Sequence, residues 1–461
     1  MKFIHNILLT CVFATGCVLL HSCSKPIDIE PIGLQTRDSV LKTEADFLAL
    51  LNSSYTVLAS NTYYGGRWQI VNDLLSDHID QGELNGGYLQ IFNRNTNIFT
   101  GTVTGFYAEP YFAIFRANTI LENLDRISGG SKNNFEGQAK FIRALGHFDL
   151  VRVFAQPYQR TGENSQPGLV VRTTTSITAP RLSVAQTYNQ IIQDLKDAET
   201  KLPTQNGVYP TSWAAKALLA RVYFQMNDFT NAYNYANQVI NSGQFALDAD
   251  PTKRFSNSNS TEPIFKLVYE TNNPTGRFSA IRENYRYVEP QLPTLRVAQA
   301  LYSNVNSRPT DKRRAWFKKA TGPQDIYVTT KYDSLIFNMP VIHLTEMKLI
   351  RAESAAELNQ NLTVGINDIN DIIRRAYGTN SGFELTSSAN AQTLLNTVRR
   401  EREIEMAFEG DRVQQLKRRG AKGEAITIRN APWNCPGMIF IIPTSEINQN
   451  NIQQNPEGGC Q

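Results

Sequence analysis

The stretch from Val398 to Leu416, near the C-terminus, narrows what this 461-residue chain can fold into more than any other. It reads Val398-Arg-Arg-Glu-Arg-Glu-Ile-Glu-Met-Ala-Phe-Glu-Gly-Asp-Arg412 before running on to Leu416. Ile404, Phe408 and, one step off, Ala407 recur at helical spacing and give one apolar stripe. The other positions are dense with charge of both signs. Arg399 and Glu403 stand four apart, as do Glu401 and Glu405, so attraction and repulsion mix along the surface. On an exposed helix each such pair contributes only a few tenths of a kcal/mol. Taken alone, this is a solvated charged helix. The sequel Phe408-Glu-Gly-Asp-Arg412 asks for more, because Gly410 suits a helix C′ position and Asp411 a fresh N-cap.

This ordered string resembles the hallmark of the SusD-like (SusD/RagB) outer-membrane lipoproteins of Bacteroidetes, whose late helix reads R-R-E-R-x-x-E-x-x-F-E-G-x-R. The resemblance implies that the arginines and carboxylates tie helices together and form no catalytic set. Other blocks agree in order. Phe106 to Asn118 is similar to the family's helix ending in R-A-N. Ala139 to Phe154, followed by Pro157-Tyr158, resembles its R-A-x-x-x-F-D-L-V-R helix and Pro-Tyr turn. Arg374-Arg-Ala-Tyr377 is family-like, and Phe440 to Pro456 resembles the ending I-P-x-x-E-I-N…Q-N-P.

The N-terminus reads as an export signal. Met1-Lys2 opens a short positive region, and Ile7 to Leu20 is mostly apolar, too short to span a membrane and right for a signal. It ends in Leu20-His-Ser-Cys23, which looks like a bacterial lipobox, although His21 departs from the usual small or apolar residue. The alternative is an ordinary secretory signal with an incidental cysteine. As a lipobox, it makes Cys23 the acylated mature N-terminus, and multiple acyl chains anchor stably where one is marginal. Ser24 and the polar stretch Lys25–Pro31, with Asp28 and Glu30, are similar to the tethers of surface-displayed family members. Cys11 and Cys17 go with the signal, which leaves Cys435 and Cys460 as an even pair in an oxidising compartment. A disulfide between them contributes roughly 3.5 kcal/mol in the chain-entropy model; two free thiols are the alternative.

The expected fold is mainly α: tetratricopeptide-like helical hairpins form a solenoid-like scaffold, with an irregular loop-rich lobe and a few short β-strands. The organisation follows as 1–22 signal peptide, 23–35 surface tether, 36–242 N-terminal helical region with tetratricopeptide-like units, and 243–461 C-terminal region with a loop-rich insert and closing helices. Glu44 to Tyr55 reads as an amphipathic helix, and Arg181 to Leu202 as a helix stopped by Pro203. Gly146 inside a helix costs about 1 kcal/mol against alanine, which suggests a close helix–helix approach. Trp213–Met226, the turn Asn227-Asp228 and Phe229–Ile240 form the clearest hairpin, with Ala220, Tyr223 and Ala232 at tetratricopeptide-like spacing. A second hairpin runs from Ile342 to Glu357 and from Val364 to Tyr377. Between Gly243 and Pro340 periodicity breaks, as in Asn272–Arg277 and Tyr285–Pro290, and short β pieces such as Ile264–Tyr269 are expected.

Composition excludes several classes. Charged residues are 19% and apolar ones 41%, which marks a globular chain. The net charge of +4 is dispersed, so nothing supports nucleic-acid binding. His78, His147 and His343 are isolated, with no metal-ligand spacing, and no G-x-S-x-G, P-loop or G-x-G-x-x-G occurs. No enzyme activity, metal or cofactor is expected, although two of the 42 acidic residues could converge as in a glycosidase.

The family resemblance implies a cell-surface lipoprotein that binds oligosaccharide or polysaccharide nutrients without catalysis. It also implies delivery to a SusC-like TonB-dependent outer-membrane transporter. Peptide capture within the same architecture is the alternative, and a tetratricopeptide-type scaffold without a small ligand is a further one. Sugar capture stacks aromatic rings on pyranose faces, so Tyr63, Tyr64 and Trp68, beside Gly65-Gly66 in an expected exposed loop, form the candidate platform. Asn72, Asp73 and Asp77 are its hydrogen-bonding neighbours, and Tyr285, Tyr287 and Trp316 of the insert are candidates to face it. For every one of these rings the competing reading is core packing. Trp213 and Trp433 are assigned to structure.

Overall fold

The computed structural model describes residues 41–460 except 128, 256–258, 270–277 and 458. The expected signal peptide, the tether, the acylation site Cys23 and the segment Asn272–Arg277 lie outside the described residues. Residues 47–461 form one unit, and of the N-terminal unit, 1–46, only 41–46 are described.

The helices are α1 (Glu44–Leu58), α2 (Arg67–Leu75), α3 (Gly86–Phe92), α4 (Gly101–Leu121), α5 (Ser131–Phe154), α6 (Val184–Lys201), α7 (Ser212–Gln225) and α8 (Phe229–Asn241). Then follow α9 (Ser279–Tyr285), α10 (Gln299–Asn306), α11 (Leu344–Leu358), α12 (Leu362–Tyr377), α13 (Ala391–Glu405), α14 (Arg412–Lys422) and α15 (Thr444–Asn450). From α4 to α8 each helix packs on the next, α8 packs on α11, and α11 packs on both α12 and α13. This succession is the expected helical scaffold. Sequence chemistry sets its joints. Ser183 and Gln186 close a capping box on α6. The first hairpin turns at Asn227, whose φ of 58° lets the chain reverse before Asp228 caps α8. Gly146 lets α5 approach α4 closely, since a Cβ there would stand 3.0 Å from Ile114 and 3.4 Å from the Pro110 carbonyl oxygen.

The strands are short. β1 (Ile79–Asp80), β5 (Arg296–Val297), β7 (Tyr327–Thr329) and β6 (Phe317–Lys319) form one antiparallel sheet in that order. β4 (Pro263–Leu267) pairs with β8 (Met339–His343), so the expected strand at 264–269 ends at Leu267. One expected helix start moves: Arg181–Ser183 forms β3 against β2 (Pro167–Val170), and α6 begins at Val184. The Arg181 side chain explains the shift, because it donates to the carbonyl oxygens of Gly168 and Gln453 and so holds its backbone extended. Cys435 and Cys460 are disulfide-bonded, with Cα atoms 5.4 Å apart.

The charged stretch is not a solvated helix. α13 stops at Glu405, and Met406–Gly410 make a turn with Phe408 at φ 64° and Gly410 at φ 74°. Glu401, Glu405, Arg254 and Arg313 are all 3% exposed or less. The Glu405 carboxylate accepts from Arg254 at 2.8 Å, Arg375 at 2.8 Å and Arg313 at 3.1 Å. Glu401 accepts from Arg313 at 2.5 Å, and Glu409 from Lys331 at 2.6 Å and His343 at 3.1 Å. Arg254, Arg313 and Lys331 belong to the loop-rich insert, so this network is what seats the insert on the helices. The remaining arginines reach other elements: Arg399 to Glu353 and Glu357 of α11, and Arg412 to Asp77, twice at 2.8 Å. Asp411 precedes α14 without capping it, because its carboxylate accepts from Arg402 at 2.7 and 2.9 Å.

Burial alone would push Glu405 and Glu409 up. The cations around them (Arg375, Arg313 and Arg254 for Glu405; Lys331 and His343 for Glu409) outweigh it and hold both carboxyls well below the ordinary range. Glu262, beside Arg254 and Arg375, is likewise held down at about 2 against the same burial. A carboxyl depressed in the folded state stabilises above its unfolded pKa and loses that contribution as pH falls toward the folded value. Urea unfolding should therefore show stability declining steadily below pH about 4.5. Glu405→Gln should cost about 3–5 kcal/mol at pH 7, since it strands buried guanidinium groups.

Candidate functional site

The two segments expected to hold the site do meet. The Ile281 amide donates to the Gly65 carbonyl oxygen at 3.1 Å, Asn61 bonds Ser279 at 2.7 Å, and β1 pairs with β5. Gly66 permits the approach, for a Cβ there would lie 2.4 Å from the Ile281 nitrogen. The rings themselves point the other way. Tyr63 is 0% exposed and Trp68 4%, so the loop expected to be open is core.

Each expected platform residue has an internal partner. Tyr63 and Tyr64 both donate to Asp149, at 2.5 and 2.7 Å. The Trp68 ring carries the Arg152 guanidinium 4.4 Å from its centroid and lies above Gly410, where a Cβ would stand 3.0 Å from its Nε1. Asn72 accepts from Gln414 at 2.6 Å, and Asp77 pairs with Arg412. Asp73 accepts from the Tyr285 hydroxyl at 2.5 Å, and burial raises its carboxyl to about 7. Tyr285 and Phe408 pack at 5.7 Å, Trp316 receives the Lys331 ammonium at 4.4 Å, and Tyr287 bonds Thr321 at 2.8 Å. Trp68 and Tyr285 pack on the Phe408–Gly410 turn, Tyr63 and Tyr64 are tied to Asp149, and Tyr287 belongs to a separate small cluster with Ala320 and Val328. Burial of an aromatic side chain outweighs any gain from leaving it exposed for an absent ligand.

What the junction offers to solvent is the opposite face of α9. Ile281 and Tyr285, four apart, are buried, and this turns Arg282, Glu283 and Arg286 outward. With Val288, Gln291, Leu292 and Leu335 they line a cleft of about 390 Å³. Arg282 is braced by donating to the Leu335 carbonyl oxygen at 2.9 Å. The Arg286 guanidinium and the Glu283 carboxylate make no hydrogen bond among the described residues, and the charge of Arg286 is felt at Asp333. The Gln291 amide closes the loop by donating to Val288 at 2.7 Å. Sequence reading passed over these residues because it took Tyr285 as an outward ring. The spacing of Ile281 and Tyr285 on one short helix was the signal that would have reversed it. Among the described residues, no group of three or more His, Cys, Asp or Glu is placed to hold a metal ion, and no helix is long and apolar enough to cross a membrane.

Residues 35–224 match a family described as starch-binding, associating with the outer membrane. Residues 318–434 match the SusD family. SusD-like protein P2 of Formosa agariphila is 27% identical over 88% of this chain and 89% of its own length. A SusD superfamily protein from Bacteroides thetaiotaomicron superposes with a TM-score of 0.77 at 23% identity, covering 90% of this chain and 100% of that one. A putative sugar binding protein from Bacteroides vulgatus gives 0.75 at 24%, covering 90% and 99%.

The burial of Trp68 gives a direct expectation. Trp68→Ala should lower stability by about 3–5 kcal/mol, read by urea denaturation, with no loss of ligand affinity in whatever fraction remains folded.

Proposed function

Because the chain belongs to the SusD family, we propose that it is a non-catalytic glycan-binding protein of the outer membrane. Anchored through Cys23 and facing the cell exterior, it passes oligosaccharides to a SusC-like TonB-dependent transporter. The observation that carries this reading is the outward face of α9. There Arg286, Glu283 and Gln291 present polar heads beside exposed Val288, Leu292 and Leu335, on an insert held by buried ion pairs. Donors and acceptors of this kind suit sugar hydroxyls, and the aliphatic patches suit the apolar faces of pyranose rings. The backbone beneath them is seated by buried Ile281 and Tyr285, so a ligand orders side chains and not the segment that carries them.

Peptide capture uses the same cleft, its Arg and Glu heads bonding a backbone and the aliphatic residues holding side chains. A calorimetric screen of neutral plant and host oligosaccharides beside mixed peptides separates the two. An oligosaccharide hit should weaken at least about tenfold in Arg286→Ala, as expected for a lost charge-assisted hydrogen bond. Binding of peptides alone would select the second reading, and an Arg286→Ala variant that binds the oligosaccharide like the parent would remove this cleft from the site.

A further inference from the structure

We infer a second saccharide subsite, specific for sugar rings that carry a carboxylate or a sulfate, in the cleft between α1, the loop 203–211 and β4. The inference rests on the proposal that this protein takes saccharides, and concerns a different part of the surface, sharing no residue with the α9 cleft. The cleft is about 320 Å³ and is lined by Asn52, Tyr55, Val208, Tyr209 and Lys266 among others. A single sugar residue fits such a volume.

Its walls differ from those of the α9 cleft in having rings. Tyr55 and Tyr209 stand 5.5 Å apart, centroid to centroid, tilted by 42°. Both are half-buried, unlike the aromatic cluster around Phe408. The Tyr55 hydroxyl is turned inward to donate to Gln138 at 2.7 Å, and burial of that end pushes its pKa well up, while the flank of the ring borders the cleft. The Tyr209 hydroxyl donates to Asn52 Oδ1 at 2.8 Å. That bond fixes the ring and orients the Asn52 amide, whose Nδ2 makes no hydrogen bond among the described residues. A fixed ring flank with an amide donor beside it suits a pyranose face and its rim of hydroxyls.

The charge comes from Lys266. Other half-buried lysines of this chain are paired with carboxylates: Lys140 with Asp197 and Glu136, Lys216 with Glu199, and Lys422 with Glu357. Lys266 is half-buried on β4 between buried Phe265 and Leu267, and among the described residues its ammonium has no carboxylate, carbonyl or ring partner. An unpaired cation at the wall of a ring-lined cleft favours an anionic group on the ligand. A carboxylate at the sugar's C6 and a sulfate ester share that chemistry.

The test titrates the full chain with a galacturonate trisaccharide, a sulfated disaccharide and a neutral glucose trisaccharide, by calorimetry at two salt concentrations. At least one acidic probe should bind, more weakly at the higher salt. Lys266→Gln, which removes an ammonium without an internal partner among the described residues, should weaken that probe about tenfold and leave neutral binding unchanged. Tyr209→Ala should weaken the acidic probe too, with its thermal midpoint checked against the parent. Acidic probes that bind Lys266→Gln as they bind the parent, or that bind neither, overturn the subsite. Loss of the neutral trisaccharide in Arg286→Ala alone, with acidic probes unbound, overturns the subsite and leaves the proposed function standing. Failure of every saccharide overturns both.

Discussion

Glu405 sits fully buried at the end of α13 with three guanidinium groups around it, from Arg254, Arg313 and Arg375. A single carboxylate in that setting is expensive to desolvate, and its neighbours would be as expensive without it. The arrangement holds only as a set. Glu262 and Glu409 share Arg254 with it, Glu401 shares Arg313, and Lys331 and His343 complete the outer members. Such a network contributes less net stability than an apolar core of equal volume, but it specifies geometry closely. Here it specifies how an irregular insert of nearly a hundred residues, with little periodicity of its own, is seated against the helical hairpins.

Two consequences run outward from this point. Phe408 and Gly410, both left-handed, follow directly after α13 and turn the chain beneath Trp68, Tyr285 and Phe317. The same turn sends Arg412 to Asp77, which fixes the strand that pairs with the insert. So the aromatic shell, the β1–β5 pairing and the seat of α9 all follow from one short stretch. The α9 cleft lies on the solvent side of that seat. Its polar heads are positioned by a helix whose inward residues, Ile281 and Tyr285, are fixed in the core.

Much of this was legible from residues. The hairpins at Trp213–Ile240 and Ile342–Tyr377 were readable because small and apolar residues recur at helical spacing, and α7, α8, α11 and α12 lie there. The close approach at Gly146 was readable from a glycine where helix propensity disfavours one. The family was readable from the hallmark string. The direction of rings was not. Tyr63, Tyr64 and Trp68 sit beside Gly65-Gly66, a signal shared by exposed loops and by tight buried turns, and only the position of Asp149 and Gly410, far away in sequence, decides between them. Likewise nothing local says that Lys266 lacks a partner or that Tyr209 meets Tyr55. Pairing across 154 residues belongs to the fold.

The Glu405 network acts as one coupled unit, each cation shared between carboxylates. A double-mutant cycle on Arg254→Met and Glu405→Gln, read by urea unfolding at pH 7, measures that coupling. The double variant should be less destabilised than the sum of the single ones by more than about 1 kcal/mol. Additivity to within about 0.3 kcal/mol would contradict it.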